Sequence, residues 1–207
     1  MGRLSKRAAF LDRDGTLNVR PSDHAYITSQ DDFEWLPGAV EGAARLAAAG
    51  YVLAVVSNQR GVALGLMDVT TLYALEAVIE RDLAHHGCGI EAFGYCVHGE
   101  DEGCSCRKPQ PGLILRLARE LDVDPRRSWM IGDSSSDVLA GQAAGCQTAL
   151  IASVPERCEP DLVAPSLAAA SELIAGEAAT LSPRARPDQP QTLRGGRDTC
   201  ASDRRAG

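Results

Sequence analysis

The sequence lacks a long apolar run, and this absence argues against a membrane-spanning helix. No apolar stretch among its 207 residues approaches the roughly 20 residues that cross a bilayer. The apolar run near the N-terminus is too short for a signal peptide, and position 6 holds lysine where myristoylation requires serine or threonine. Excess positive charge is also missing, since the net charge of −7 disfavours nucleic-acid and anionic-membrane surfaces. We therefore expect a cytoplasmic protein that binds neither nucleic acid nor membrane.

The sequence has seven cysteines, whereas a disulfide framework needs an even number. Three of the seven cysteines fall within residues 96–106, which favours a reduced compartment and a metal site. Apolar residues make up 44% of the chain, so most of it should fold. From about residue 177 the composition changes to proline, arginine, aspartate and glycine, with almost no apolar residues. We expect one folded domain over residues 1–176 and a disordered tail over residues 177–207.

Two carboxylates stand two residues apart where the first apolar run ends. Residues 8–11 precede Asp12 and Asp14, and side chains at positions i and i+2 of an extended chain point to the same side. Gly15 follows and permits a sharp turn. Such a pair suits one divalent cation with oxygen ligands, or a nucleophile beside a proton donor. An isolated D-x-D pair is also common as a capped turn in a loop.

Predicted strands alternate with predicted helices over most of the chain. The pattern predicts strands near residues 8–11, 51–56, 90–96, 128–131 and 147–152, helices near residues 37–49, 68–86, 111–121 and 135–144, and a weak strand and helix within residues 161–175. This alternation predicts an α/β fold with a parallel sheet and helices on both faces. Ligands of such sheets bind beyond the carboxyl ends of the strands, where Asp12, Ser57 and Asp133 stand.

Two further segments carry groups that suit phosphate. Arg107 and Lys108 offer a planar fork and a point charge, although a solvated basic pair is the ordinary alternative. Ser57 follows a buried strand, where a hydroxyl and backbone N–H groups can hold a phosphoryl oxygen, but a Ser-Asn pair in that place is commonly a turn. Asp133 precedes a helix and on its own is typical of an N-cap.

A cysteine-rich loop precedes the basic pair. Cys96, His98, Cys104 and Cys106 form the pattern C-x-H-x5-C-x-C. Three thiolates and an imidazole match the ligand set of a closed structural zinc site. The spacing is tighter than in common zinc modules, so buried or unused thiols are the alternative. Bound zinc would fold the loop that presents the basic pair, and its role in the chemistry would be indirect.

The segment D-x-D-G-T after an apolar strand resembles the first motif of the haloacid dehalogenase (HAD) superfamily of phosphohydrolases. Later segments resemble the other three motifs in order, over about residues 8–152. The resemblance implies that Asp12 is the nucleophile and that Asp14 is the general acid and base. It also implies that Ser57 and Lys108 stabilise the transferring phosphoryl group.

The same resemblance implies a catalytic Mg²⁺. Its ligands would be the Asp12 carboxylate, the Asp14 backbone carbonyl and Asp133, while Asp137, one helical turn further on, would help to orient the site. The implied fold is a capless, HAD-like Rossmannoid sheet. A small phosphorylated metabolite would be the partner of a monomeric enzyme.

The zinc loop narrows the resemblance to the D-glycero-D-manno-heptose 1,7-bisphosphate 7-phosphatases and the related histidinol-phosphatases. The segment from Asp23 to Tyr26 resembles the D-H-G-Y substrate loop of the heptose enzymes, which implies a sugar bisphosphate as substrate. The residues expected to bind substrate are Asp23, His24, Ala25, Tyr26, Asn58, Gln59, Arg60 and Arg107.

Two features agree less well with the heptose enzymes. Ser134 stands where they often have a lysine, and the five-residue zinc spacer is typical of histidinol-phosphatases. Histidinol phosphate, or a broader range of small sugar phosphates, is therefore an alternative substrate. Two other classes are a non-catalytic binding module on a HAD scaffold, and a phosphotransferase that passes the phosphoryl group to an acceptor other than water.

Overall fold

The computed structural model describes residues 6–20, 26–152 and 158–178 and contains a parallel six-stranded sheet. The strands are β1 (Arg7–Leu11), β2 (Tyr51–Asn58), β3 (Ala92–Cys96), β4 (Trp129–Gly132), β5 (Gln147–Ile151) and β6 (Leu162–Ala164). The helices are α1 (Ala39–Ala48), α2 (Arg60–Ala63), α3 (Val69–Ala84), α4 (Gly112–Glu120), α5 (Ser135–Ala144) and α6 (Leu167–Ala178). The strand order is β3-β2-β1-β4-β5-β6, which confirms the predicted α/β fold.

Alternate residues of the central strands face two separate hydrophobic clusters. In β1, Ala9 and Leu11 pack in the cluster with residues of α1, α3 and α6, whereas Ala8 and Phe10 pack in the cluster with residues of α4 and α5. This alternation is the two-residue period of a strand. Both faces of the sheet are therefore covered by helices, as parallel sheets require.

The strand β2 extends two residues beyond its predicted end. Ser57 and Asn58 pair in register with Tyr95 and Cys96 of β3, so the two polar residues continue the sheet instead of starting a turn. Asp68 begins α3 as predicted, and its carboxylate accepts a hydrogen bond from the Thr71 N–H at 3.0 Å. The last helix, α6, ends at Ala178, two residues past the predicted end of the domain.

The described connections between strands and helices contain little regular secondary structure. A 3₁₀ helix, Gln30–Asp32, lies between β1 and α1, and another, Glu100–Glu102, lies between β3 and α4. Neither described connection carries a second domain, in agreement with the expected capless architecture. None of the helices described is long and apolar enough to cross a membrane. Three predicted substrate residues, Asp23, His24 and Ala25, and most of the predicted tail, residues 179–207, lie outside the described residues.

Candidate active site

The carboxyl ends of the three central strands bring the first-motif aspartate, the serine and the fourth-motif aspartate to one edge of the sheet. Asp12 follows β1, Ser57 is the second-last residue of β2, and Asp133 follows β4. The Asp12 N–H donates to the Ile131 carbonyl at 2.9 Å, which ties the start of the first loop to β4. A Cβ added at Gly15 would collide with the Asp133 carboxylate, so the absence of a side chain there lets the two loops meet.

Lys108 lies at the centre of this edge and is buried. Its Nζ is 2.8 Å from Oδ1 of Asp12, 2.5 Å from Oδ1 of Asp137 and 2.8 Å from the Val56 carbonyl oxygen. Burial alone lowers the pKa of Lys108, but the attraction of the two carboxylates outweighs burial and raises that pKa above its ordinary value. Lys108 is therefore a permanent cation beside the candidate nucleophile.

Three carboxylates crowd around this one ammonium group. One oxygen from each of Asp12, Asp133 and Asp137 lies within 4.8 Å of the others. Burial, only partly opposed by Lys108, raises the pKa of Asp12 to about 6. Burial, followed by repulsion from Asp12, raises the pKa of Asp133 to about 7. Hard oxygen donors that repel one another are a suitable ligand set for a divalent cation such as Mg²⁺.

The Asp14 carboxylate is held by three side chains. Arg13 donates to it through Nε and Nη2 at 3.0 and 2.9 Å, Asn18 donates at 3.0 Å, and Gln59 donates at 2.9 Å. Burial opposes ionisation, but Arg13 and the hydrogen bonds keep the pKa of Asp14 below its ordinary value. Asp14 is thus an ionised, paired carboxylate in this structure, and a proton-transfer role requires it to leave some of these partners.

Two residues expected to bind substrate form hydrogen bonds with the candidate catalytic groups. Gln59 is 1% exposed, and its amide donates to Asp14 and to the Ser57 hydroxyl, the latter at 3.0 Å, while its carbonyl accepts from Arg13 at 3.0 Å. Asn58 exchanges two hydrogen bonds of 3.0 Å with the backbone of Lys108. The amide groups of both residues are therefore directed at other protein groups.

Two arginines converge on one glutamate beside the zinc-motif loop. Nη1 of Arg60 is 2.9 Å from Oε1 of Glu100, and Nη2 of Arg107 is 3.4 Å from the same oxygen. Tyr26 is half-buried, and its ring leaves no room for a side chain at Gly61. These predicted substrate residues therefore lie around the short helix α2 and the loop after β3.

The predicted zinc ligands come together in space. The Sγ atom of Cys96 is 3.6 Å from that of Cys104, and the Sγ atoms of Cys104 and Cys106 are 3.5 Å apart. Nδ1 of His98 is 3.2 Å from the Cys106 Sγ. The sulfurs are too far apart for a disulfide, which needs about 2.05 Å, but are close to the edges of a tetrahedron with bonds of about 2.3 Å. A hydrogen bond from Cys106 is the largest cause that lowers the pKa of Cys96, to about 5, which favours the thiolate that a metal binds.

One supporting residue was missed by the sequence analysis. Arg13 has no exposed side-chain surface and joins Asp14 to Gln59. Its position between two aspartates offered the only sequence signal, and its second partner is 46 residues away. Asp137 was expected to help orient the site, and its contact with Lys108 agrees with that expectation.

Comparisons with known proteins agree with this geometry. The HAD-hydrolase-like family profile matches residues 105–170. The D-glycero-beta-D-manno-heptose-1,7-bisphosphate 7-phosphatase of Pasteurella multocida is 39% identical over 145 residues, which cover 67% of this chain and 77% of the relative. The enzyme of the same name from Bordetella bronchiseptica is 42% identical over 142 residues, which cover 69% of this chain and 78% of the relative.

A solved structure is also similar to this chain in fold and in sequence. The D,D-heptose 1,7-bisphosphate phosphatase from B. bronchiseptica, in complex with magnesium and phosphate, superposes with a TM-score of 0.73 at 36% identity. The match covers 83% of this chain and 99% of that one. The fold, the strand-end carboxylates and these similarities together show that the chain belongs to the D-glycero-beta-D-manno-heptose-1,7-bisphosphate 7-phosphatase family of HAD-like phosphatases.

Proposed function

We propose that the protein removes the 7-phosphate of D-glycero-β-D-manno-heptose 1,7-bisphosphate by a Mg²⁺-dependent mechanism. The observation that carries this proposal is the buried Lys108 ammonium between Asp12 and Asp137 at the carboxyl edge of the sheet. The position of Asp133 beside them adds the oxygen donors that a divalent cation needs. The names of the relatives support the choice of substrate.

Mg²⁺ fits the oxygen donors of this edge, and we propose that the Asp12 and Asp133 carboxylates and the Asp14 backbone carbonyl hold it. When bound, the ion neutralises and aligns the phosphate. Asp12 is the nucleophile: its oxygen attacks phosphorus, the bond to the leaving sugar oxygen breaks, and an aspartyl phosphate forms. The contact with Lys108 holds Asp12 in place for this attack.

The remaining catalytic roles follow from the hydrogen bonds around the site. Lys108 and Ser57 stabilise the equatorial phosphoryl oxygens, and the contact from Gln59 orients the Ser57 hydroxyl. Asp14 first has to take up a proton from solvent, which it gives to the leaving oxygen; its carboxylate then takes a proton from water as the water attacks the aspartyl phosphate. Because Asp14 is paired with Arg13 here, we propose that bound substrate turns its carboxylate toward the leaving group.

Substrate selection is assigned to residues around the entrance of the site. We propose that Arg60, Arg107 and Tyr26 contact the sugar phosphate together with the Asp23, His24 and Ala25 segment. Asn58 and Gln59 are assigned a positioning role, because their amides are taken up by Lys108, Asp14 and Ser57.

We further propose that Zn²⁺ binds Cys96, His98, Cys104 and Cys106 as a structural ion. Cys106 lies two residues before Lys108, so the ion would fix the loop that carries the catalytic ammonium. The domain would extend to the end of α6 at Ala178, two residues past the predicted boundary, followed by a tail over residues 179–207. The enzyme would be a cytoplasmic monomer.

A second candidate substrate is histidinol phosphate. Ser134 is the N-cap residue of α5, where its N–H and its hydroxyl donate to Oδ2 of Asp137 at 3.0 and 2.6 Å, and its side chain offers no cation to a second phosphate. A monophosphate substrate needs no such cation.

The substrate assignment is tested by phosphate release at equal concentrations of the two candidate substrates. We expect kcat/KM for the heptose bisphosphate to exceed that for histidinol phosphate by about tenfold or more, since one charge-assisted contact to a second phosphate is worth about 1.5–3 kcal/mol. Phosphorus NMR will show whether the 7-phosphate is the one lost. A preference for histidinol phosphate would instead identify the enzyme as a histidinol-phosphatase. The Asp12→Asn variant measures the background of phosphate release that does not depend on the nucleophile.

The stability of the Mg²⁺-free protein should depend on the ionisation of Asp133. Its pKa is raised from 3.8 to about 7 by burial and then by Asp12, so the native state binds the proton more tightly than the unfolded state does. This group therefore lowers the free energy of unfolding as pH rises from about 4 to 7. Asp133→Asn cannot ionise, and it should stabilise the protein by about 2 kcal/mol more at pH 8 than at pH 5.

Urea unfolding without Mg²⁺ at the two pH values checks this expectation. Asp31→Asn removes an exposed carboxylate of the first 3₁₀ helix and is the matched control. If Asp133→Asn changed the free energy of unfolding equally at pH 5 and pH 8, the burial of a charged Asp133 would not lower the stability of the protein without Mg²⁺.

Zinc binding is tested by metal analysis of purified variants. We expect about one zinc per chain in the wild type and little in Cys104→Ser, because a closed structural site needs all four ligands. Cys104→Ser should also lower the free energy of unfolding, since binding energy at such a site is folding energy. Cys88→Ser changes a half-buried thiol outside the cluster and should retain the metal. Full zinc content in Cys104→Ser would contradict the proposed ligand set.

A further inference from the structure

Arg20 makes a contact that neither the motifs nor the proposed mechanism uses. Its Nη2 lies 2.9 Å from Oδ1 of Asp133, a residue 113 positions away in the chain. The side chain of Arg20 is 56% exposed, whereas that of Asp133 is only 16% exposed. The guanidinium therefore reaches from the surface onto a carboxylate that is assigned to the metal.

The two oxygens of Asp133 have different surroundings. Oδ2 lies against the backbone of Gly15, where an added Cβ would collide with it. Oδ1 receives the guanidinium of Arg20. A divalent ion on Asp133 must therefore share this small carboxylate with a cationic side chain that it repels. The contact between Arg20 and Asp133 and the binding of Mg²⁺ are expected to oppose each other.

The backbone just before Arg20 is anchored, although the side chain itself is exposed. Asn18 forms an antiparallel bridge with Trp35, and the Val19 N–H donates to the Glu34 carbonyl at 2.7 Å. These bonds hold the backbone that leads to Arg20 beside Asp133, the carboxylate that is assigned to the metal. The long side chain can then take a second position without a change in the backbone before it.

A bound anion offers Arg20 a second partner. Arginine forms paired hydrogen bonds with phosphate oxygens, and its fork suits them better than a lysine does. The transferring phosphoryl group has to reach Asp12, which is 6% exposed, so the other phosphate of a bisphosphate lies nearer to the surface. The side chain of Arg20 is 56% exposed, so its guanidinium is accessible to a phosphate near the surface.

We propose that Arg20 is a specificity-determining residue with two positions. In the metal-free site it pairs with Asp133, and when a divalent cation takes Asp133 it moves to the outer, non-transferring phosphate of the substrate. This inference rests on the proposed function, because it requires a substrate with two phosphates. Arg20 thereby couples occupation of the metal site to recognition of a bisphosphate.

The first test measures metal binding without catalysis. Calorimetric titration with Mg²⁺ compares the wild type with Arg20→Gln, which removes the competing cation, and with Arg20→Lys, which retains a charge. We expect Arg20→Gln to bind Mg²⁺ about threefold more tightly, the effect of losing a partly exposed ion pair, and Arg20→Lys to lie closer to the wild type. An unchanged or weaker affinity in Arg20→Gln would overturn the proposed competition.

Arg119→Gln is the charge-matched control for these measurements. Arg119 is exposed in the last turn of α4, which leads back to the amino end of β4 and so away from the site. The affinity of the Arg119→Gln variant for Mg²⁺ should equal that of the wild type. Thermal unfolding of each variant confirms that the folded state is retained.

The second test separates the two phosphates of the substrate. Arg20→Gln should raise KM for the heptose bisphosphate about tenfold, and should leave KM for the heptose 7-phosphate, which lacks the outer phosphate, nearly unchanged. An equal rise for both substrates would overturn the assignment to the outer phosphate. If the wild type released no phosphate from the bisphosphate, the proposed function and this assignment would both fail, whereas the Mg²⁺ titration would still decide the contact with Asp133.

Discussion

The ammonium of Lys108 is the charge on which the rest of the site depends. It is buried between Asp12 and Asp137 and is fixed to the carbonyl of Val56 in the adjacent strand. Without it, buried carboxylates would face one another with no compensating charge, which is a costly arrangement in a protein interior. The backbone of Lys108 is held by two hydrogen bonds with the side chain of Asn58, which lies on the same strand as Val56. The position of one cation thus organises the carboxyl ends of β1, β2 and β4.

The ammonium compensates only part of the negative charge at this edge. The pKa values of Asp12 and Asp133 are both raised, to about 6 and about 7, chiefly by burial, with repulsion from neighbouring carboxylates as a further cause. A divalent cation relieves this excess, and Arg20 relieves a smaller part of it at Asp133. The chain as a whole has a net charge of −7, so local cations, and not the overall charge, make the site suitable for an anionic substrate.

Features set by strand ends and by short motifs could be predicted from the sequence. Asp12, Ser57 and Asp133 follow from the alternation of strands and helices, because parallel strands end at one edge. The zinc-motif cluster was predictable because its ligands are close in the chain. Contacts between distant polar residues could not be predicted. Asn58 and Gln59 were predicted only to bind substrate, and the structure shows in addition that their amides contact Lys108 and Asp14. The pairs of Arg13 with Gln59 and of Arg20 with Asp133 likewise left no periodic signal.

The proposed mechanism requires Asp12 to carry the phosphoryl group during turnover. The most direct measurement is an acid quench of the enzyme and Mg²⁺ in the first turnover of labelled heptose bisphosphate, followed by borohydride reduction and mass spectrometry of the peptide that contains residue 12. We expect transient label on the protein and conversion of Asp12 to homoserine, with neither in Asp12→Asn. Phosphate release without labelled protein and with Asp12 unmodified would mean that water attacks the substrate directly, and would contradict the account.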